Sequence, residues 1–160
     1  MKKVILFPCI LLLLISILGC GNPVKAYWEN MKPYVDNLND LINKEEGLVH
    51  RESSMSPESV DIEIQPDRKE VIDEATTKIA EIEKVVPPEK LEEFQDELLA
   101  TYKDLKAAAE WTSKAVGYEA KTTSTLNERL TKLAISITYI KKYSAHWKKV
   151  GELQPDPSDL

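Results

Sequence analysis

Apolar residues recur at three- and four-residue spacing in four separate segments of the 160-residue chain. This spacing places them on one face of an α-helix, whose period is 3.6 residues. In chain order, the four apolar stripes are Trp28, Met31, Val35, Leu38 and Ile42; Ile72, Ala75, Ile79, Ile82 and Val86; Leu91, Phe94, Leu98, Tyr102, Leu105, Ala109 and Thr112; and Leu126, Leu130, Leu133, Ile137, Ile140 and Trp147. The pattern predicts four amphipathic helices.

Helix-boundary residues flank these stripes. Asn22-Pro23 combines a favoured N-cap with a favoured first helical residue, and Val86-Pro87-Pro88 ends one helix and begins the next. Glu45-Glu46-Gly47 is expected to close the first helix, with Gly47 as its C-cap. Pro33 lies inside the first stripe. Because the stripe continues in register past Pro33, we favour a kink there over a break.

Residues 47–66 lose the helical period. Polar, turn-prone residues come first and predict a loop. Apolar and polar residues then alternate from Val60 to Ile64, which is typical of a strand with one buried side. Since a lone strand lacks a ladder partner, it would be a strap over the bundle or an edge for another protein. Val60, Ile62 and Ile64 are the candidate partner edge.

The order of these segments predicts an all-α fold, an elongated antiparallel bundle of about four helices. The long 47–66 connection leaves the relative direction of the first two helices open. A helix of about 25 residues is about 37 Å long, which accounts for the expected elongation. We expect the bundle to span residues 20–151 and the polar segment 152–160 to be a disordered tail.

Charge narrows the range of partners. The formal net charge is −6 at pH 7, and loss of Lys2 and Lys3 with a cleaved leader would take it to −8. Phosphate recognition needs clustered Lys and Arg, so we do not expect nucleic acid as a partner. The acidic balance also opposes purely electrostatic adhesion to anionic lipid.

The N-terminal segment has the anatomy of an export signal. Met1-Lys2-Lys3 is positively charged, and the apolar run from Val4 to Leu18 is shorter than the roughly 20 residues of a bilayer-spanning helix. The chain has two cysteines, Cys9 inside this run and Cys20 just after it. The body of the chain therefore has neither a disulfide nor a cysteine metal site.

Ile17-Leu18-Gly19-Cys20 resembles the lipobox of bacterial lipoproteins, whose pattern is an aliphatic residue, a small or aliphatic residue, Gly or Ala, and then Cys. Leu18 is bulkier than the commonest residue at its position. The resemblance implies that residues 1–19 are a signal peptide removed by the lipoprotein signal peptidase. It also implies that Cys20 becomes the first residue and carries palmitate-type acyl chains. Two such chains suffice for stable anchoring in a membrane.

Two alternatives to the lipobox interpretation are an ordinary signal peptide with an incidental cysteine and an uncleaved N-terminal anchor. Gly21 is not the Asp that commonly retains lipoproteins in the inner membrane of two-membrane bacteria. The expected location is therefore the bacterial cell envelope, at the outer membrane if the organism has one.

No catalytic constellation is visible in the chain, so we expect no enzymatic activity. The two histidines, His50 and His146, have no ligand-type neighbour three or four residues further along the chain, and we expect neither a metal nor another cofactor. The carboxylates of the third helix flank an intact apolar stripe and are expected to form a solvated face. They are Glu92, Glu93, Asp96 and Glu97. Nucleophile-elbow and phosphate-loop motifs are absent from the sequence.

Aromatic residues lead to two further hypotheses. Tyr27 and Trp28 follow Cys20 closely and could contact the membrane surface, although core packing is favoured for Trp28. The sequence predicts a membrane-tethered envelope lipoprotein that acts as a protein-binding or structural module. Its expected partners are the membrane, through acylated Cys20, and a protein. The alternative is a small-ligand carrier with a pocket between helices, lined by Trp28, Tyr102, Trp111 and Trp147.

Overall fold

The computed structural model describes residues 22–116 and 123–160, and it confirms the predicted all-α helical bundle. Within these ranges no residue belongs to a β-strand. The helices are α1 (Pro23–Glu52), the short α2 (Pro57–Glu63), α3 (Gln65–Ile82), α4 (Glu92–Val116) and α5 (Thr123–Glu152), and one-turn 3-10 helices lie at Glu89–Leu91 and Pro157–Asp159.

Consecutive long helices run in opposite directions. The side-chain contacts between neighbours therefore pair residues in opposite sequence order, which also settles the direction of α1 relative to α3. The pairs are Asn37–Glu74 and Glu45–Arg68 for α1 and α3, Ser113–Gln65 and Lys103–Glu83 for α3 and α4, and Ala108–Ser136 and Glu97–Lys149 for α4 and α5.

The first helix begins where the sequence predicts. The Asn22 side chain accepts hydrogen bonds from the backbone N–H groups of Val24 at 3.0 Å and Lys25 at 3.4 Å. Pro23 occupies the first helical position, where its missing N–H costs nothing. The helix then continues through Pro33 without ending.

The predicted end of α1 at Gly47 is wrong, because the helix runs on to Glu52. Leu48, one residue further, is only 2% exposed and extends the buried stripe by another turn. Burial of a leucine is worth about 1.5–3 kcal/mol, more than the penalty of about 1 kcal/mol for glycine inside a helix. The glycine is therefore carried inside the helix.

The predicted loop and strand at 47–66 are also wrong, and with them the candidate edge at Val60, Ile62 and Ile64. Ser56 caps α2 through its side chain, and only residues 53–56 separate α1 from α2. Val60 and Ile64, four residues apart, are buried, whereas Ile62 is 75% exposed on the opposite side. A short helix satisfies its own backbone hydrogen bonds, which a lone strand would leave unpaired.

The core fills the space between the long helices. Its buried members include Tyr27, Met31, Leu38, Leu41, Ile42, Leu48, Val71, Ile82, Phe94, Leu98, Tyr102, Leu105, Tyr143 and Val150. A polar joint between α4 and α5 is also buried, where the Ser136 hydroxyl donates to the carbonyl of Ala108 at 3.1 Å and lies 2.7 Å from Thr112 Oγ1. These contacts dock the middle of α5 against α4.

Residues 152–160 differ from the disordered tail that we expected. Glu152 is the last residue of α5, and Leu153 packs against the core. Asp156 then caps a 3-10 turn, accepting a hydrogen bond from the backbone N–H of Ser158 at 2.8 Å. The mostly polar composition of this segment predicted disorder, but Leu153 provides an apolar contact that holds the segment against the core.

Candidate functional site

The last helix exposes apolar side chains along its outward side. Leu126, Leu130 and Ile137 are 44%, 53% and 51% exposed, and their spacing places them on one face of α5. We call these three residues the outer stripe. Their predicted place on a core-facing stripe is wrong. The buried line of α5 instead contains Ser136 and Tyr143, since adjacent residues project about 100° apart around a helix.

Positive charge accompanies the outer stripe. Exposed Lys141 and Lys148 lie at helical spacing from Ile137 and continue the same face toward the end of α5. The helix contains six lysines and arginines but only two glutamates, in a chain whose net charge is −6. The outward side of α5 therefore combines apolar contact area with a local positive charge.

A charged cluster joins α4 to α5 nearer the other end of these helices. His146 Nδ1 is hydrogen-bonded to Glu97 Oε2, and its Nε2 lies 3.6 Å from Asp104 Oδ2. Lys149 Nζ donates to Glu97 Oε1 at 2.8 Å. The Glu97 side chain is only 13% exposed, so its predicted place on a solvated face is wrong. The neighbouring Glu92 is exposed as expected.

The pKa values in this cluster follow from burial and pairing. Burial alone would raise the pKa of Glu97, but the hydrogen bonds from Lys149 and His146 outweigh it and lower that pKa. Burial raises the pKa of Asp104, only partly countered by the nearby His146. Both ring nitrogens of His146 face carboxylates, so the imidazole acts as a clamp between two helices.

A second ion cluster is buried between α1 and α3. Arg68 is fully buried, and its Nε donates to Glu45 Oε1 at 3.0 Å while its Nη2 donates to Glu52 Oε2 at 2.8 Å. Its Nη1 is buried without a hydrogen-bond partner. Burial raises the pKa of Glu45, although the neighbouring guanidinium acts in the opposite direction.

Neither cluster was predicted from the sequence, although a signal for the buried one was present. Arg68 lies three residues before Val71 and seven before Ala75, in register with the apolar stripe of its helix. Glu45 is likewise in register with Leu38 on α1. Opposite charges on the apolar faces of two helices indicate a buried pair.

The aromatic residues proposed to line a ligand pocket occupy separate environments. Tyr102 is fully buried and donates to the carbonyl of Tyr34 at 2.6 Å. Trp28 packs edge-on against Phe94, and the Lys114 ammonium lies 4.7 Å from the centre of the Trp111 ring. Trp147, the fourth of these aromatic residues, packs against the core.

The proposed membrane contacts Tyr27 and Trp28 are also accounted for within the bundle. Tyr27 is 6% exposed, and its hydroxyl donates to Gln95 Oε1 at 2.7 Å. Its predicted contact with the membrane surface is therefore wrong. Trp28 is half-buried against the core, as favoured from the sequence.

Three parts of the chain meet where α1 begins. A depression of about 360 Å³ is lined by Asn22 and Val24, by Lys90 and Leu91, and by residues 153–156. None of the four aromatic residues proposed for a carrier lines it. We call this region, together with the adjoining loop 83–88, the Asn22 end.

The described part of the chain contains neither a metal-binding cluster nor a membrane-spanning helix. Neither His50 nor His146 belongs to a group of three or more His, Cys, Asp or Glu side chains placed to hold a metal ion there. In the same ranges no helix is long and apolar enough to cross a bilayer. Cys20, with the rest of the lipobox-like segment, lies outside the described residues.

No protein-family model matches the chain, and no curated protein or solved structure shows significant similarity to it.

Proposed function

We propose that this protein is a bacterial envelope lipoprotein, tethered through an acylated Cys20, whose helical bundle binds another protein through the outer stripe of α5. The lipobox-like residues 17–20 support the tether. The outer stripe is the observation that carries the binding function, because leucine and isoleucine side chains at helical spacing face solvent beside a completed core. Exposed apolar side chains that share one face of a helix are typical of surfaces that bind a partner helix.

The chemistry of the surface selects the kind of partner. An amphipathic helix with apolar residues at three- and four-residue spacing would pack along Leu126, Leu130 and Ile137. Acidic residues flanking its apolar face would meet Lys141 and Lys148, which share this side of α5. The expected partner is therefore a protein presenting an acidic amphipathic helix.

The tether is tested by replacing the acylated residue. In cells fed labelled palmitate, the wild-type protein should carry the label and fractionate with membranes. The Cys20→Ala variant should be unlabelled and leave the membrane fraction. Unchanged membrane retention of an unlabelled variant would contradict lipid anchoring.

The binding face is tested by photo-crosslinking in living cells. A photoreactive residue at Leu130 should produce one discrete crosslinked product, whereas the same residue at Ile62 should not. Ile62 is the matched control, because it is also an exposed apolar residue but lies on α2. Equal products from both positions, or none from Leu130, would count against the outer stripe as the binding face.

Purified proteins then test the partner's charge. Leu130→Asp should weaken binding of the crosslinked partner more than tenfold, and Leu130→Lys should weaken it less because it preserves the positive field. Ile62→Asp should leave the affinity unchanged. Thermal unfolding of all three variants, expected near the wild-type temperature, separates lost binding from lost folding.

A further inference from the structure

The Asn22 end gathers segments that are distant in the sequence. Its depression joins the start of α1, the residues just after the 83–88 loop, and the segment that follows α5. The loop is tied to the same place by Gln95, whose amide donates to the carbonyls of Ile82 at 3.2 Å and Val85 at 2.9 Å. Because Gln95 also accepts from Tyr27, the start of α1 and the loop share one hydrogen-bonded anchor point.

This end must lie close to residue 20. Asn22 caps α1 and follows Cys20 by two residues, which span at most about 7 Å even when fully extended. If Cys20 carries acyl chains inserted in a bilayer, the Asn22 end is therefore held at the lipid surface. The opposite end of α1 lies about 45 Å away along the helix.

An apolar side chain projects from the loop at this end. Val86 is 88% exposed, more than any other large hydrophobic residue in the described ranges. Val85 beside it packs against the core, and Pro87 and Pro88 restrict the backbone that follows. The loop therefore presents Val86 from a fixed base.

The lysines around the loop suit a lipid surface. Lys84 and Lys90 are exposed on either side of Val86. Lysine side chains can lay their methylene stems against apolar groups while keeping the ammonium at the level of water and headgroups. In the sequence Val86 lies between these two lysines, and the exposed Glu83 and Glu89 balance their charge.

We propose that the Asn22 end is a membrane-contacting surface, at which Val86 enters the interfacial layer of the bilayer that holds the lipid anchor. The inference rests on the proposed function, since it needs the acylated Cys20 to bring this end to the membrane. Val86 adds a second contact with the bilayer, beside the lipid anchor. Two contacts fix the orientation of the bundle, with the far end of its helices pointing away from the lipid.

The test uses the acylated protein reconstituted into phosphatidylcholine vesicles. A polarity-sensitive fluorophore is attached through cysteine to the Val86→Cys variant or to the Ile62→Cys variant. Since Cys20 is blocked by its lipid and Cys9 leaves with the leader, each protein has a single reactive thiol. The label at position 86 should shift to the blue on reconstitution and be quenched by brominated lipid, and the label at position 62 should do neither.

Each other outcome overturns the inference, and the two failures are distinguishable. Unshifted emission at position 86 in vesicle-bound protein overturns the membrane contact but leaves the anchor intact, as does equal quenching at both positions. A mass spectrum showing unmodified Cys20, with protein absent from the vesicles, overturns the anchor and the inference together. An unlabelled Val86→Asp variant, checked for folding by circular dichroism, should stay anchored but reorient more freely in fluorescence anisotropy of its tryptophans.

Discussion

The guanidinium of Arg68 is fully buried between two carboxylates, so its loss should be costly. Arg68→Met would leave Glu45 in the core without its partner, and we expect a loss of about 3–5 kcal/mol in the free energy of unfolding. Urea denaturation measures this directly. Arg51→Met is the control, because the Arg51–Asp67 pair is solvent-exposed at 3.5 Å and should contribute less than about 1 kcal/mol.

The double replacement Arg68→Met with Glu45→Leu distinguishes the contribution of the ion pair to stability from the contribution of side-chain packing. Removing these two charges should restore most of the lost stability, because an apolar pair of similar volume avoids the desolvation of two ions. Glu52, which also loses its partner, has a side chain that is 14% exposed and can be solvated. A double variant as unstable as Arg68→Met alone would show that the arginine acts through packing. Such a result would contradict the role assigned to the ion cluster.

The carboxylate of Glu97 should make stability depend on pH in the acid range. Its pKa is lowered in the folded state, so its contribution is complete above the unfolded value of about 4.3 and is lost as pH falls through the lower folded value. Glu97→Gln should cost about 1 kcal/mol at pH 7 and flatten the fall in stability below about pH 4. Glu92→Gln, on the exposed side of α4, should preserve the wild-type pH profile.

Thermal unfolding across this pH range checks the prediction. Parallel pH profiles for the wild-type and Glu97→Gln proteins would contradict it.

The contact between Glu97 and His146 was not predictable from the sequence, since the two residues are 49 positions apart and meet only through the packing of α4 against α5. Residue spacing along the sequence predicts which side chains share a face of one helix. It does not predict which faces of two helices pack together.

At the scale of elements, the burial of two isoleucines shows whether the segment around α2 is a strand or a helix. In a strand Val60, Ile62 and Ile64 would share a face, but Ile64, the C-cap residue of α2, is fully buried and Ile62 is 75% exposed. Ile64→Ala should therefore cost about 2–5 kcal/mol, and Ile62→Ala less than about 0.5 kcal/mol. Urea denaturation of both variants measures the difference, and equal losses would contradict a helical α2.

The long helices were predictable because their apolar periods persist over many turns. The Asn22 cap of α1 was also correctly predicted. The segment from Val60 to Ile64 was not, since a five-residue pattern of apolar residues fits both a period of two and a pair at i and i+4. The outer stripe was missed for a related reason. Apolar periodicity locates a helical face, but only the packed neighbours decide whether that face is covered.

At the scale of the whole molecule, the proposals assign different roles to the two ends of the bundle. The Asn22 end combines Val86 with the start of α1, a few ångströms of chain from Cys20. The outer stripe begins about 22 Å from the end of α5 at Glu152 and extends to about 40 Å from it. A bundle standing on its Asn22 end would hold the binding face clear of the headgroups, where a partner could reach it.

Neutron reflectometry of the acylated protein on a supported bilayer tests this orientation. A standing bundle should form a layer about 45 Å thick, the length of the 30-residue α1. A bundle lying flat would give about 20–25 Å, the depth of two packed helices. Cys20→Ala should leave no layer, and Val86→Asp should thin the layer because the tether then acts alone. A thin layer from the wild-type protein would contradict the standing orientation, since it would bring the outer stripe within reach of the lipid.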